Sequence, residues 1–277
     1  MRLMDLWLFE DDASAKELRG ILKQNYKTFV SKLGAGISDP KFVAAIKAFA
    51  QTHPIKTKVM DIPVQKLKPT QNEIVMTNTL FKPLTKPEIA EKCLRGGTLA
   101  VSDRLIVTAG NGKFIVDGHH RWSRLFCLNP DAKIKAMDIS NIEDPIEALK
   151  ATQLGVAAQI KKVPSEQGGG INLLRITKEV LGKYISRTIT KEVLAVFAKY
   201  GRGTTPEEVT EYIWKNVKML QAIAKPVTGA PPREIMPQTE KAPKFKDTAV
   251  DVANIGESDY AKKQLARKRK FAITYNQ

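Results

Sequence analysis

The sequence predicts an α+β fold, in which a small mixed sheet is packed with helices between a helical N-terminal arm and a helical C-terminal segment. The strongest sign of the sheet is a hairpin pattern, since apolar, β-branched stretches at 104–108 and 113–116 flank a Gly/Asn turn at 109–112. Apolar and polar residues alternate at 58–64 and 133–139, which predicts two further strands. Helical spacing and capping signals dominate the rest of the chain.

The first fifty residues predict helices. Ser14 has capping-box spacing to Glu17, and apolar residues recur at helical intervals from there to Val30. A cap at Asp39, followed by a first-turn proline, begins a second helix. We therefore assign residues 1–52 to the N-terminal arm.

Residues 53–163 carry the predicted sheet and three helices. A capping box at Thr85 begins the first helix, and a Gly-Gly pair at 96–97 ends it. The second follows the hairpin directly, and we expect Trp122 to pack in the core rather than to stack on a base. The third begins at Asp144, which precedes a proline.

The composition changes after the predicted domain. Residues 164–170 are rich in glycine and polar residues and form a linker by composition. Beyond it, Thr190 and Thr205 stand at N-cap positions before apolar helical runs. We assign 171–225 to a helical segment and 226–277 to an extended, basic C-terminal tail.

Composition excludes several classes of protein. The chain has 277 residues, of which 43% are hydrophobic and 27% charged, as in ordinary globular proteins. No apolar run approaches the roughly 18 residues that span a bilayer, and acidic residues interrupt the N-terminus, so we expect no membrane partner and a cytoplasmic location. Cys93 and Cys127 lack CxxC spacing, so we expect buried thiols rather than a disulfide framework or a structural zinc site.

The net charge of +16 favours a polyanionic partner such as nucleic acid or nucleotide phosphate. The charge is densest in a basic block near the C-terminus, which either contacts phosphates or stays solvated. The residues of this block that we assign to nucleic-acid contact are Lys262, Lys263, Arg267, Lys268, Arg269 and Lys270.

Two of the three histidines are adjacent in the stretch Asp117-Gly118-His119-His120-Arg121, which we call the box. Gly118 permits a tight turn, the amides of the helix that follows would point at an anion, and Arg121 adds a two-pronged phosphate contact. The box therefore predicts a phosphate site. The alternative is that Asp117 caps the helix and the histidines fill local hydrogen bonds.

The order of elements around the box resembles the ParB N-terminal domain of the ParB/sulfiredoxin superfamily. The resemblance covers residues 58–140, including Lys-Pro-Thr-Gln at 68–71 after the first strand, and it is sharpest in the box. Members of this superfamily use the box to bind nucleotide phosphates. The resemblance accordingly implies that Gly118, His119, His120 and Arg121 bind the phosphates or nucleotide. It also makes Asp117, His119 and His120 candidate catalytic residues.

The chain departs from two branches of the superfamily. Sulfiredoxins place a catalytic cysteine where this chain has His119, so sulfinic-acid repair lacks its nucleophile. Partition proteins usually carry a more arginine-rich phosphate motif and a helix-turn-helix reader, whereas the helices predicted after residue 171 show no recognition-helix signature.

The free-serine kinase branch resembles the chain at 69–73, Pro-Thr-Gln-Asn-Glu, as well as at the box. By that resemblance Glu73 is a catalytic carboxylate, which takes a proton from an attacking hydroxyl or water, or holds Mg²⁺ against phosphate oxygens. The alternative is an exposed loop glutamate. Asp103 is a weaker candidate and is more typical of a turn.

These observations favour a ParB-like nuclease-type or nucleotide-dependent DNA-associated protein, resembling those of bacteriophage genomes. One alternative is a small-molecule, free-serine-type kinase using the same pocket, and another is a non-catalytic phage structural or packaging protein that binds nucleic acid. The expected cofactors are ATP or CTP, with Mg²⁺ if the site is catalytic, and we predict no metal site built by the protein alone. Homo-oligomerisation stays open, and a phage-encoded chain would act in the host cytoplasm or the virion.

Overall fold

The computed structural model describes residues 13–52, 55–99, 105–163 and 169–237. Over these ranges it contains ten α-helices and a six-stranded mixed sheet, which confirms the predicted α+β class. Asp103 and the basic block at 262–270 lie outside the described residues. None of the helices in the described ranges has the length and apolarity needed to cross a membrane.

Six strands form the sheet: β1 (Thr57–Pro63), β2 (Lys68–Pro69), β3 (Thr98–Leu99), β4 (Ile106–Ala109), β5 (Phe114–Asp117) and β6 (Lys133–Ile139). Their order is β1-β6-β4-β5-β2, and β3 also pairs with β6. The pairs β1–β6 and β4–β5 are antiparallel. The pairs β4–β6 and β2–β5 are parallel. The predicted hairpin is confirmed, and its turn places Asn111 at a φ of 58°.

Three helices precede the sheet: α1 (Ala13–Leu22), α2 (Tyr26–Gly36) and α3 (Pro40–Thr52). The continuous apolar periodicity predicted one helix across α1 and α2, and this was wrong. Asn25 interrupts it, because its side chain accepts a hydrogen bond from the Thr28 amide and so begins a new helix. The predicted cap at Asp39 is confirmed by a bond of 2.9 Å from the Lys41 amide to its carboxylate.

Seven helices follow: α4 (Met76–Thr85), α5 (Pro87–Arg95), α6 (His119–Leu128), α7 (Pro145–Ile160), α8 (Lys178–Thr188), α9 (Lys191–Lys199) and α10 (Pro206–Ile223). The side chains of Asp144, Thr190 and Thr205 accept bonds from first-turn amides, as their sequence positions predict. The sequence did not predict α4.

The sheet separates two hydrophobic cores. Ile106, Ile115 and Ile134 point to the core shared with α4–α6 and α8–α10, whereas Val107 and Met137 point to the core shared with α1–α3 and α7. This alternation follows from the two-residue period of a strand. The N-terminal arm and the C-terminal helical segment therefore each cover one face of the sheet.

Three predicted core residues are buried. The Trp122 side chain is fully buried and its indole Nε1 donates to the Val64 carbonyl at 2.8 Å, so packing is confirmed as its role. Cys93 and Cys127 are buried free thiols. Burial raises the pKa of Cys93 to about 11 and that of Cys127 still further, so both thiols are unreactive at neutral pH.

The chain after α10 differs from the predicted extended tail. Ala224 belongs to the first core and Met236 to the second, so the segment 224–236 crosses from one side of the sheet to the other. It ends in a single 3₁₀ turn, Arg233–Ile235, in which Arg233 is buried. The part of the tail beyond 237 lies outside the described residues.

Candidate functional site

The box lies where β5 ends and α6 begins. Gly118 is the N-cap residue of α6 and has φ 97° and ψ 23°. A Cβ here would lie 2.5 Å from Cγ2 of Ile106, so both the backbone conformation and the packing require glycine. No side chain caps α6, so the amides of His119 and His120 have no capping partner, whereas the amide of Arg121 donates to the Gly118 carbonyl at 2.9 Å.

Asp117 does not cap the helix, so that part of the alternative is wrong. Its Oδ2 instead accepts a hydrogen bond from Nη2 of Arg121 at 2.6 Å. The other arm of the guanidinium, Nη1, donates to the carbonyl of Leu105 at 2.9 Å. Arg121 thus ties the end of β5 to the start of β4, and both partners of the ion pair are about one-fifth exposed.

The two histidines hold the loop between β2 and α4, residues 70–75. Nε2 of His119 accepts from the amide of Thr70 at 3.1 Å, and Nε2 of His120 accepts from the amide of Val75 at 3.2 Å. One imidazole therefore binds each end of the loop. Since both Nε2 atoms are acceptors, the proton of each neutral ring resides on Nδ1.

Both imidazoles are neutral at physiological pH. Burial lowers the pKa of His119 to about 3, assisted by the charges of His120, Arg121 and Arg233. The pKa of His120 is also lowered to about 3, first by burial and then by Arg233, Arg124 and Arg121. In this state neither ring can donate a proton as a general acid. The structure thus gives these predicted catalytic and phosphate-binding residues a positioning contact with the loop.

Asn172, 98 residues after Ile74 in the sequence, also fixes the 70–75 loop. Oδ1 of Asn172 accepts from the amide of Ile74 at 3.2 Å, and its Nδ2 donates to the carbonyl of Asn72 at 3.1 Å. Glu73 lies between these two anchored residues and is half-buried. The structure therefore brings Glu73, on a well-anchored loop, to the same end of the sheet as the box.

Arg124 supports α4 from α6. Pro83 lies inside α4 and has no amide hydrogen, so it cannot bond the carbonyl of Thr79 four residues earlier. Nε of Arg124 donates to that carbonyl at 3.2 Å, and its Nη2 donates to the carbonyl of Asn78 at 3.2 Å. The buried guanidinium thus supplies the donor that the proline removes.

Sequence reasoning missed four polar residues of this region: Gln71, Arg124, Asn172 and Arg233. Asn172 and Arg233 come from segments that begin about 50 and about 110 residues after the box, and no local motif connects them with it. Gln71 lies within the stretch that resembles the superfamily, but only its burial, with 4% of its surface exposed, marks it.

The described residues contain no group of three or more His, Cys, Asp or Glu side chains placed to hold a metal ion. Mg²⁺ beside a nucleotide usually needs only one or two carboxylates, because phosphate oxygens and water complete its octahedron. Asp117 is paired with Arg121, so Glu73 is the carboxylate that fits this role.

Comparison of the chain with protein-family models, with curated proteins and with solved structures found no match.

Proposed function

We propose that the N-terminus of α6 binds phosphate groups, and that the protein is a ParB-like nuclease-type or nucleotide-dependent DNA-associated protein. The observation that carries the proposal is the concentration of positive charge around an uncapped helix start. Arg121, Arg124 and Arg233 all act electrostatically on the histidine pair. Asp117 is the carboxylate that the structure pairs with one of them.

This charge favours a multiply charged anion. Cations that are partly removed from water repel one another, and an anion between them offsets both the repulsion and the lost hydration. The helix dipole and the free amides of α6 act in the same direction. Neutral histidines contribute no charge here, so the attraction comes from the arginines and the backbone.

Calorimetric titration of the full chain with ATP, CTP and a DNA duplex, each with Mg²⁺, tests the proposal. Saturable binding of a nucleotide supports it, and competition by inorganic triphosphate would assign the affinity to the phosphates. Binding of the duplex alone, unaffected by changes in the box, would instead favour the structural or packaging alternative. Absence of binding to all three ligands would refute the phosphate site.

A second candidate function is phosphoryl transfer, and the anchoring of Glu73 favours it. The backbone bonds to His119, His120 and Asn172 hold the loop without help from the Glu73 side chain, which leaves its carboxylate available. Such a carboxylate takes the proton of an attacking hydroxyl or water as the phosphoryl group is transferred. Bound Mg²⁺ would supply neutralisation of the phosphate charge. A free-serine-type kinase and a nuclease both need this arrangement.

A further inference from the structure

Gln71 carries a buried hydrogen-bonding group with no partner. Only 4% of its surface is exposed, and its amide nitrogen Nε2 bonds to nothing in the described structure. A buried donor without an acceptor is costly and rare in folded proteins, and a ligand that binds there is one explanation for it. Gln71 directly follows Thr70, whose amide donates to Nε2 of His119, the first residue of α6, so the backbone beside Gln71 is held at the uncapped helix start.

Arg233 approaches the same place from the C-terminal segment. It is 8% exposed and begins the 3₁₀ turn that the Met236 amide closes on its carbonyl at 3.1 Å. Two prolines precede it and restrict the backbone, and Met236 anchors the turn in the second core. Among the neighbouring charges, that of Arg233 has the largest effect on His120. A guanidinium held in this way is already positioned for a ligand.

The two residues complement each other chemically. A carboxamide offers a neutral donor, and a guanidinium offers charge and up to two parallel bonds to a phosphate. They reach α6 from opposite directions in the sequence, one from the loop after β2 and the other from beyond α10. A ligand bonded to both would join the C-terminal segment to the box.

We propose that Gln71 and Arg233 contact the ligand of the α6 site, Gln71 through its amide and Arg233 through a phosphate, so that binding fastens residues 225–237 to α6. This inference rests on the proposed phosphate site and adds to it the residues that discriminate among ligands. It also predicts that bound ligand protects the C-terminal segment further against amide exchange.

Calorimetry with ATP and CTP in the presence of Mg²⁺ tests the inference on the full chain. Gln71→Leu should lower affinity by about 10-fold or more, while the unfolding temperature of the free protein stays the same or rises, because the unpaired donor is gone. The matched control is Gln153→Leu on α7, since Gln153 is also fully buried with an unpartnered Nε2 but lies in the other core. It should leave affinity within twofold.

Arg233→Gln should lower affinity by about 10- to 100-fold, whereas Arg187→Gln, at an exposed position of α8, should change it little. Hydrogen exchange of the parent protein provides a readout that needs no variant. Nucleotide should slow amide exchange at 70–75 and 225–237 together.

The outcomes separate the two proposals. A parent protein that binds no nucleotide or triphosphate refutes the phosphate site and this inference with it. A parent that binds, with unchanged affinity in Gln71→Leu and Arg233→Gln, overturns the inference and leaves the phosphate site standing. If either variant fails to fold, ligand-independent exchange at 225–237 in the parent overturns the inference in the same way.

Discussion

Acidification should destabilise the fold through the two box histidines. The pKa of each is about 3 in the folded protein and about 6.5 in an unfolded chain. Between these values the unfolded chain binds more protons than the folded protein. The histidines' contribution to the free energy of unfolding is therefore fully present above pH 6.5 and is lost as the pH falls towards 3. The main physical cause is burial, assisted by the neighbouring arginine charges, both of which disfavour the protonated ring. A protonated Nε2 also cannot accept the hydrogen bond that each histidine receives from an amide of the 70–75 loop.

The size of the effect follows from the two pKa values. Each pH unit below 6.5 costs about 1.4 kcal/mol per histidine, so each contributes about 2 kcal/mol at pH 5, and the pair about 4 kcal/mol. A domain has a total unfolding free energy of about 5–15 kcal/mol. The histidines alone would therefore remove a large part of the stability between pH 6.5 and 5.

Urea unfolding from pH 7.5 to pH 5 in a phosphate-free buffer measures this loss. The variants His119→Gln and His120→Gln keep an acceptor near the position of Nε2 but do not titrate. Each should be less stable than the parent at pH 7.5 and should show a smaller decrease on acidification, and the double variant the smallest. Carboxyl groups titrate in parent and variants alike, so the difference between them isolates the imidazoles. Equal decreases in the parent and the double variant would refute the lowered pKa values of the two histidines.

Three further outcomes are expected. Arg121→Ala should weaken nucleotide binding by about 1.5–3 kcal/mol, measured by calorimetry, and also lower the unfolding temperature because the ion pair with Asp117 is removed; unchanged affinity would contradict the site. Glu73→Gln should spare binding and reduce turnover by about 10²–10⁴-fold in assays of nucleotide hydrolysis, serine phosphorylation and DNA nicking, whereas full activity would remove Glu73 from the mechanism. Deleting residues 261–277 should reduce the slope of log DNA affinity against log salt concentration by about 0.9 for each phosphate that the tail neutralises in the parent. An unchanged slope would show that the tail does not contact DNA phosphates.

The sequence predicted the elements whose signals are local. The hairpin, β1, β6 and the helices begun by Thr190 and Thr205 were all predicted, because strand alternation, turn glycines and N-caps involve residues only a few positions apart. The box was likewise predicted at a strand–turn–helix junction. The contacts of its side chains were not predicted. Asp117 lies close in sequence both to the helix amides that it could cap and to Arg121, with which it could pair, and the sequence does not distinguish the two roles.

The missed features depend on contacts between distant residues. Nothing local predicts α4, whose N-cap residue, Val75, makes no side-chain capping bond and which contains Pro83. The donor that compensates for the proline, Arg124, comes from another helix. Arg233 was assigned to an extended tail because prolines and lysines surround it, and only its place between the two cores shows that the turn is fixed.

The two sets of bonds on the 70–75 loop form at different times during protein synthesis. His120 is synthesised 45 residues after Val75, its partner in the loop, whereas Asn172 is synthesised 98 residues after its partner Ile74. At about 5–20 residues per second, a growing chain waits about 3–10 s between the two. Throughout that interval the loop has the bonds to the two imidazoles and the bond from the Thr70 hydroxyl to the Ile115 carbonyl, but not the contacts with Asn172. A ribosome paused in this stretch would therefore hold Glu73 on a loop that has its histidine contacts but lacks the two Asn172 contacts on either side of that residue.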